Sequence, residues 1–430
     1  MSGVWRTPSK ERTLPSLYRA LALLLLVLVA AWPLHAQRIP PVATDSSLVV
    51  YDDEGLRLHS RDGRRQLRIR GLLATDALVV SGDSGSGLLS TFSLRRGRVF
   101  FDANVNPWIA LRLLLSPASV GSSPVAAAFV DFSFSPHWWL RVGKTKVPFG
   151  AERALAIEQQ PFAERSIASQ LTPDRENGAL LTGEWRGGHL EGSLGVFNGV
   201  PDGARGDGDP SDAKDFAVRL IARPLQRPGE QGITFGYNGS AGFGRRAGAT
   251  APLLRFNSPA ARTYFEFRDT SSAAGQRTRN GFFSYAHLGS WGATAEWFRS
   301  VQRLRRGNSV ADVPTAAWLA HTEYVLTGEP SVHGGVTPAK PFDPGHGHWG
   351  AFEAVARVSR VSVGREAFPV FADSAVAAHD ATEAAVGLNW FFTRSTKAQL
   401  NYERTSFDGG NAAGDRRRED MLLLRLQAAF

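Results

Sequence analysis

The sequence predicts an all-β fold, a transmembrane antiparallel β-barrel of about 16 strands with one loop folded inward. Two observations predict it. Apolar and polar residues alternate in segments about ten residues long, and Gly, Pro, Asn, Asp and Ser separate these segments. In addition, no run of about 18 apolar residues occurs after residue 36, although each membrane-crossing helix needs about 20. A polytopic helical membrane protein is therefore excluded.

Residues 1–36 predict a cleaved signal peptide. Basic residues precede the apolar stretch 21–31, and Ala36 supplies a small residue before the expected mature start at Gln37. A membrane anchor is the alternative, which the short apolar core disfavours. We expect an N-terminal lead at 37–66 and a barrel at 67–430. The absence of cysteine excludes disulfides, thiolate metal sites and a lipidated cysteine.

Sixteen segments carry the period of two, and each is expected to form one strand. They are 67–80, 92–105, 109–116, 125–135, 137–144, 178–186, 189–198, 215–223, 231–239, 279–288, 291–301, 315–326, 350–361, 382–392, 396–406 and 419–430. The further candidate 262–269 is assigned to a long loop, because an antiparallel barrel with both termini on one side has an even number of strands.

The connections are expected to alternate between very short turns and long polar loops, as in outer-membrane barrels. The long ones are 81–91, 145–177, 240–278, 302–314, 327–349 and 407–418. Aromatic residues such as Trp138 and Trp390 lie near segment ends, where membrane girdles lie. The repeats of a soluble propeller are not visible. About sixteen strands leave an aqueous lumen, so the sequence predicts a pore.

Six motifs occur in the order found in a known family. They are 93–99, 140–153, 194–199, 324–330, 386–390 and 424–427. With them the chain resembles the phosphate-selective porins of the O/P type from Gram-negative outer membranes. The resemblance implies a homotrimer, a constriction formed by loop 145–177, and a ladder of arginines that guides phosphate to a lysine cluster accompanied by an aspartate.

The family's site residues carry over only in part. The paired arginines correspond to Arg95 and Arg96, and the aspartate corresponds to Asp131. Arg153 replaces the constriction-loop lysine, and Leu72 stands where the first-strand ladder arginine belongs. The family's other lysines are missing from the stretch that contains His333. Guanidinium binds oxyanions bidentately whereas ammonium is a compact hydrated charge, so we expect weaker phosphate selection.

Strand parity identifies further arginines that should point into the lumen, because they oppose apolar faces. Arg95 and Arg96 are adjacent and should face opposite sides; Arg96 shares the parity of Arg98, and that pair is the preferred luminal candidate. The other candidates are Arg68, Arg70, Arg112, Arg141, Arg219 and Arg357. Each could instead only pair with a wall carboxylate such as Glu184, Glu191 or Glu353. Within loop 145–177 the charges are close to balanced: Arg153, Arg165 and Arg175 lie among Glu152, Glu158, Glu164 and Glu176.

Metal and catalytic patterns are weak. His346 and His348, with Asp343 nearby, have a spacing that could hold zinc, but a solvated glycine-rich loop is the simpler interpretation. The acidic stretch 207–215 lacks the glycine and glutamate of a calcium loop, and 82–85 does not form a nucleophile elbow. We therefore expect no bound metal, no cofactor and no enzymatic activity.

The leading hypothesis is a passive, anion-preferring outer-membrane porin, with inorganic phosphate, polyphosphate or another small anion as its solute. The alternatives are a general diffusion porin, a structural or adhesive barrel that conducts little, and, least favoured, an outer-membrane hydrolase. The expected partners are small anions, outer-membrane lipid and two further copies of the chain. Export makes nucleic acid an unsuitable partner.

Overall fold

The structure is a computed structural model that describes residues 48–52, 55–62, 64–81, 89–117, 123–199, 214–229, 231–244 and 253–430. The expected signal peptide, the segment 82–85 and most of the acidic stretch 207–215 lie outside the described residues. In the described part of the chain, no helix has the length and apolarity needed to cross a membrane.

The described chain forms 21 strands. In chain order they are β1 (Val49–Asp52), β2 (Gly55–His59), β3 (Gln66–Ser81), β4 (Leu89–Asn106), β5 (Ile109–Leu115), β6 (Val125–Ser135), β7 (Trp138–Lys146), β8 (Arg175–Trp185), β9 (Leu190–Phe197), β10 (Asp215–Arg227), β11 (Gln231–Gly244), β12 (Arg255–Asn257), β13 (Thr263–Glu266), β14 (Ser272–Leu288), β15 (Trp291–Arg306), β16 (Ser309–Val325), β17 (Ala351–Val363), β18 (Ala378–Phe391), β19 (Thr396–Asn411), β20 (Gly414–Asp415) and β21 (Glu419–Ala429).

Sixteen of these strands, β3–β11, β14–β19 and β21, form a closed antiparallel barrel. Each pairs with the next along the chain, and β21 closes the ring on β3 with Leu424 opposite Ala77. All sixteen correspond to the segments predicted from alternation, so the predicted fold class is confirmed. Segment 262–269 lies outside the barrel wall, as expected, since β13 pairs only with β12.

The two faces of the wall differ as the alternation predicts. On β15, Trp297 and Arg299 are exposed on the outside, whereas Glu296 and Phe298 are buried on the inside. Exposed aromatic side chains form two rows on the outer face, Trp291 with Tyr324 beside the short turn and Trp297 with Trp318 six residues further along β15. Such aromatic girdles lie at the two membrane–water interfaces of outer-membrane barrels.

Two expectations about the connections are corrected, and the N-terminal lead contains a hairpin. Residues 302–314 do not form a long loop: β15 runs to Arg306, β16 starts at Ser309, and Gly307 adopts the positive φ of 57° that the tight turn requires. Connection 326–350 is long, but it leaves the barrel at the end where the short turns lie, so connection length does not alternate strictly. The lead 37–66 contains the hairpin β1–β2, which pairs with the start of β3 through Leu56 and Ile69.

Candidate functional site

The predicted constriction loop occupies the lumen. Residues 147–174 join β7 to β8 and contain one helical turn, α1 (Ala151–Ala154), and the 3-10 helices Ile157–Gln159 and Ile167–Leu171. Phe149, Ile167 and Leu171 are buried against inward-facing wall residues such as Phe298 and Leu319. The inward-folded loop expected from the sequence is thus confirmed.

Wall side chains hold the loop by accepting hydrogen bonds from its backbone N–H groups. Glu296 of β15 accepts from the amides of Ala151 and Glu152, both at 2.6 Å. Glu383 of β18 accepts from the amide of Ile167 at 2.9 Å. These amides would otherwise be unsatisfied within the barrel, so each bond fixes the path of the loop.

Arg357 points inward as parity predicts, but it lies beneath the loop. Its side chain is fully buried, with its guanidinium 2.5 Å from Glu383 and 3.6 Å from both Glu152 and Glu403. The ring of Phe162 in the loop covers it at 4.2 Å. The charge of Arg357 is therefore used to attach the loop to the wall.

Glu164 is the second attachment point, and it forms ion pairs with three arginines. Arg95 lies 2.8 Å from it, Arg96 3.4 Å, and Arg425 of β21 2.5 Å. Burial by itself raises the pKa of Glu164, but the charges of Arg96, Arg425 and Arg95 together outweigh it and hold the pKa well below its usual range. The carboxyl is consequently ionised throughout the physiological range.

A β-bulge explains how two adjacent arginines reach one carboxylate. Ala74 of β3 pairs with Arg96, whereas Thr75 pairs with Leu94, so Arg95 is the extra residue. The expectation that Arg95 and Arg96 face opposite sides assumed regular alternation, which the bulge interrupts. Both side chains therefore serve the loop attachment.

Arg153, the residue at the family's lysine position, lies inside the loop. Its side chain is 8% exposed and donates to the Thr172 hydroxyl at 3.0 Å and to the Ser169 carbonyl. Arg165 is enclosed beside it, and burial together with the charge of Arg153 lowers the pKa of Arg165 to about 10. Arg165 remains protonated at neutral pH, and both side chains hold the loop in shape.

A cationic wall faces the tip of the loop. A cavity of about 590 Å³ lies between loop residues 154–159 and the inner faces of β3–β10. Two carboxylates, Glu158 and Glu191, line it. Nine cationic side chains line it as well, namely Arg68, Arg70, Arg98, Arg112, Arg141, Lys146, Arg175, Arg219 and Arg223.

Among the described residues that line the cavity, Lys and Arg side chains outnumber carboxylates by nine to two. Asp102 of β4 accepts from Arg112 and lies 2.9 Å from Arg70 and 3.7 Å from Arg68. One aspartate therefore serves three guanidinium groups. Arg141 forms a bidentate pair with Asp131, at 2.7 and 2.8 Å, and its guanidinium lies 4.0 Å over the Phe129 ring.

Arg98 and Arg219 complete the predicted set. Arg98 is 7% exposed and lines the cavity from β4. Arg219 lies 4.9 Å over the ring of Phe283 and forms no ion pair within the described residues. The structure thus brings Arg98, Arg112, Arg141 and Arg219 to one cavity together with Arg68 and Arg70, whereas Arg95, Arg96, Arg153 and Arg357 lie at or within the loop attachments.

The tip of the loop is largely apolar. Ile157 is 5% exposed and packs with Leu72, Phe100 and Leu114 from the inner wall. Leu72 stands at the family's ladder-arginine position, and here it forms an apolar contact between wall and loop. The inner surface of the pore therefore combines a cationic wall with an apolar loop tip.

The long connection 326–350 enters the lumen from the other end of the barrel. His333 stacks on Tyr285 with ring centroids 4.1 Å apart, and Ser331 hydrogen bonds to His287 and Glu323 at 2.9 and 2.8 Å. Burial and the charge of His287 lower the pKa of His333 to about 3. His333 is consequently neutral and adds no charge where the family has lysines.

The metal pattern considered at 343–348 forms an exposed turn in which His346 lies 2.7 Å from Asp343. Across the described residues, no group of three or more His, Cys, Asp or Glu side chains is arranged to hold a metal ion.

Sequence reasoning did not single out Asp102, Lys146, Arg223 or Arg425. Asp102 shares the inward parity of Arg98 on the same strand, which is a signal that could have found it. The contacts of Arg425 with a loop 261 residues away leave no local signal.

Comparisons with known proteins agree with this architecture. The family model "Phosphate-selective porin O and P" matches residues 92–430. The fold is similar to that of the outer-membrane channel DcaP of Acinetobacter baumannii, with TM-score 0.55, 9% identity, and coverage of 87% of this chain and 99% of that one. It is also similar to an anion-selective porin from Comamonas acidovorans, with TM-score 0.53, 11% identity, and coverage of 85% and 100%. At these identities the structural likeness concerns the fold. A search of curated proteins found no match.

Proposed function

The chain belongs to the phosphate-selective porin O and P family, and we propose that it is a passive, anion-preferring channel whose solutes are phosphate and other small oxyanions. As a member of that family it is an outer-membrane porin, a closed barrel around a lumen. The finer proposal concerns which solutes pass and which residues select them.

The single observation that supports anion preference is the shared aspartate in the cationic wall. Arg68, Arg70 and Arg112 surround Asp102, and among the described residues nine Lys and Arg side chains but two carboxylates line the surface of the cavity. An anion entering this cavity exchanges part of its hydration shell for guanidinium N–H donors, while a cation meets an unfavourable potential. No energy source is involved beyond the solute gradient.

We propose that Arg98, Arg112, Arg141 and Arg219 contact the passing anion, with Arg68 and Arg70 beside them. Asp131 then acts by orienting Arg141, because both of its carboxylate oxygens accept from that guanidinium. Arg95, Arg96 and Arg153 act by holding the loop that narrows the pore. In this proposal the pathway follows the wall and does not cross the buried arginines of the loop.

Phosphate selection is expected to be modest. The apolar contact of Ile157 with Leu72 and the neutral His333 occupy positions where the family has cationic side chains. Channels need solute binding that is weak enough for release, and one arginine wall facing an apolar loop meets that condition.

A general diffusion porin is the second candidate, and a specific observation favours it. Arg141 pairs with Asp131, and Arg223 pairs with Glu191 at 2.7 Å, so part of the wall is electrically balanced.

We further propose that the chain is exported through a cleaved signal peptide at 1–36 and assembles as a homotrimer, as the family resemblance implies.

Single-channel current through the refolded protein tests the proposal. Phosphate is titrated on one side while chloride carries the current. We expect millimolar phosphate to reduce the chloride current, and Arg112→Ser to weaken this block. A current that is indifferent to phosphate up to tens of millimolar would reject oxyanion binding and leave the general diffusion porin.

A further inference from the structure

A strip of arginines lies on the outer, lipid-facing side of the barrel. Along β15 the outward side chains beyond Trp297 are Arg299, Val301, Arg303 and Arg305, and all three arginines are exposed. The intervening Phe298 and Leu304 are buried and point inward. These arginines therefore do not belong to the pore.

The position of the strip relative to the membrane follows from the girdles. Trp291 lies beside the short turn 289–290, and Trp297 stacks on Phe282 with centroids 6.2 Å apart. A tilted strand crosses the hydrocarbon in about 9–11 residues. Counted from Trp291, the crossing ends near residues 299–301, so Arg299 lies at its edge and Arg303 and Arg305 lie in the headgroup layer. The loop end of such a barrel faces outward, which places the strip in the outer leaflet.

No acidic side chain of the described residues forms an ion pair with this strip. Among the described residues, Arg299, Arg303 and Arg305 form no ion pair, although Asp312 lies opposite Arg303 in the strand register. Asn280, exposed on β14, is the partner of Arg299 in the register and is uncharged.

Other outward-facing arginines near the loop end are neutralised by the protein. Arg360 of β17 lies 3.3 Å from both Asp380 and Asp408. Arg404 of β19 lies 2.7 Å from Asp420. Among the described barrel strands, β15 is thus the one whose outward-facing arginines near the loop end have no carboxylate partner, so a neutralising anion comes from their surroundings.

We propose that this strip binds the phosphate groups of the phosphorylated glycolipid in the outer leaflet of the outer membrane. Guanidinium is the side chain best suited to bidentate phosphate contacts, and it is less hydrated than ammonium when it must lie near hydrocarbon. Along the strand, Arg299 and Arg303 are about 13 Å apart and Arg303 and Arg305 about 7 Å, so the strip reaches phosphates at more than one depth. The inference rests on the outer-membrane location and does not depend on anion selectivity in the pore.

Binding of lipid A by the full chain tests the proposal. The probes are bisphosphorylated lipid A and its dephosphorylated form, each added to the purified protein in detergent and measured by native mass spectrometry. We expect the wild type to bind the bisphosphorylated form at least tenfold more tightly than the dephosphorylated form. The triple variant Arg299→Ser, Arg303→Ser, Arg305→Ser should lose that preference, and millimolar inorganic phosphate should not displace the lipid.

The matched control removes three exposed arginines from loops at the same end, Arg365→Ser, Arg417→Ser and Arg418→Ser, and should bind as the wild type does. If the serine variant of the strip does not fold, Arg303→Gln alone should lower the affinity about threefold. Equal binding by the strip variant and the wild type, or equal binding of the two lipids by the wild type, would overturn the proposal. Displacement by inorganic phosphate would likewise overturn it in favour of a free-anion site. Chloride currents recorded on the same variants should keep their selectivity, so failure here is distinguishable from failure of the proposed pore function.

Discussion

Glu164→Gln should loosen the constriction loop while the barrel remains folded. The substitution removes the charge that Arg95, Arg96 and Arg425 share. Arg425 keeps its bidentate pair with Asp76, at 2.7 Å to each carboxylate oxygen, so one of the three cations remains neutralised. The substitution therefore acts mainly through Arg96 and Arg95.

The expected magnitude follows from how exposed these partners are. Removing one partner of a fully buried ion pair costs about 3–5 kcal/mol, whereas a surface pair is worth about 0–1 kcal/mol. Arg96 is 12% exposed and Arg95 is 47% exposed, so the pair energies lie between these limits. We expect loop docking to weaken by about 2 kcal/mol, which raises the population of the detached loop by about 30-fold.

Single-channel recording and hydrogen exchange measure this change directly. The variant should show frequent current transitions, and the amides of Ala163 and Ile167 should exchange faster, because both donate to wall side chains only while the loop is docked. Glu158→Gln is the matched control: it makes the same charge change in the same loop, and the Glu158 side chain forms no ion pair within the described residues. Quiet currents and unchanged exchange in Glu164→Gln, as in the control, would refute the attachment argument.

Three further predictions concern the same surfaces. Arg219→Gln should lower the anion-to-cation permeability ratio without destabilising the barrel. Arg357→Gln leaves Glu383 and Glu403 buried without their cation and should lower the free energy of unfolding by about 3–5 kcal/mol. Reversal potentials and thermal melts distinguish the two variants, and equal effects on selectivity would contradict the assignment. The pKa of Glu164 is lower in the folded protein than in the unfolded chain, so its contribution to loop docking is fully present above the unfolded pKa of about 4.5 and is lost as the pH falls towards the folded pKa. Current transitions should therefore increase in strongly acidic solution and be absent between pH 6 and 8. Ile157→Ala removes the apolar contact of the loop tip with Leu72 and Phe100 and should raise the single-channel conductance, and an unchanged conductance would show that the tip does not limit the pore.

Much of the barrel follows from local pattern. Within the membrane, an inner polar residue and an outer apolar residue alternate, so all sixteen barrel strands and the inward direction of Arg112, Arg141 and Arg219 could be predicted from parity. The prediction failed at 302–314 for a physical reason. There the outward residues Arg303, Arg305 and Asp312 are polar, so the alternation of apolar and polar residues that identifies a strand disappears.

The arrangement of the constriction depends on contacts between distant parts of the chain. The bulge at Arg95 changes the direction of one side chain, and nothing in the local alternation marks it. Arg153 has the position of a pore cation in the family pattern, yet Thr172 and Ser169 of the same loop enclose it. Charge type and strand position were predictable, whereas the choice between pore surface and loop attachment depends on how residues 147–174 fold across the lumen.

The reversal potential of the wild-type channel in a tenfold potassium chloride gradient tests the central claim most directly, because it measures the net sign of the charge along the pathway. The cationic wall around Asp102 predicts a potential on the chloride side, reduced in Arg112→Ser and unchanged in Arg153→Lys, since Arg153 is buried in the loop. A potential near zero or on the potassium side would contradict an arginine-controlled anion channel.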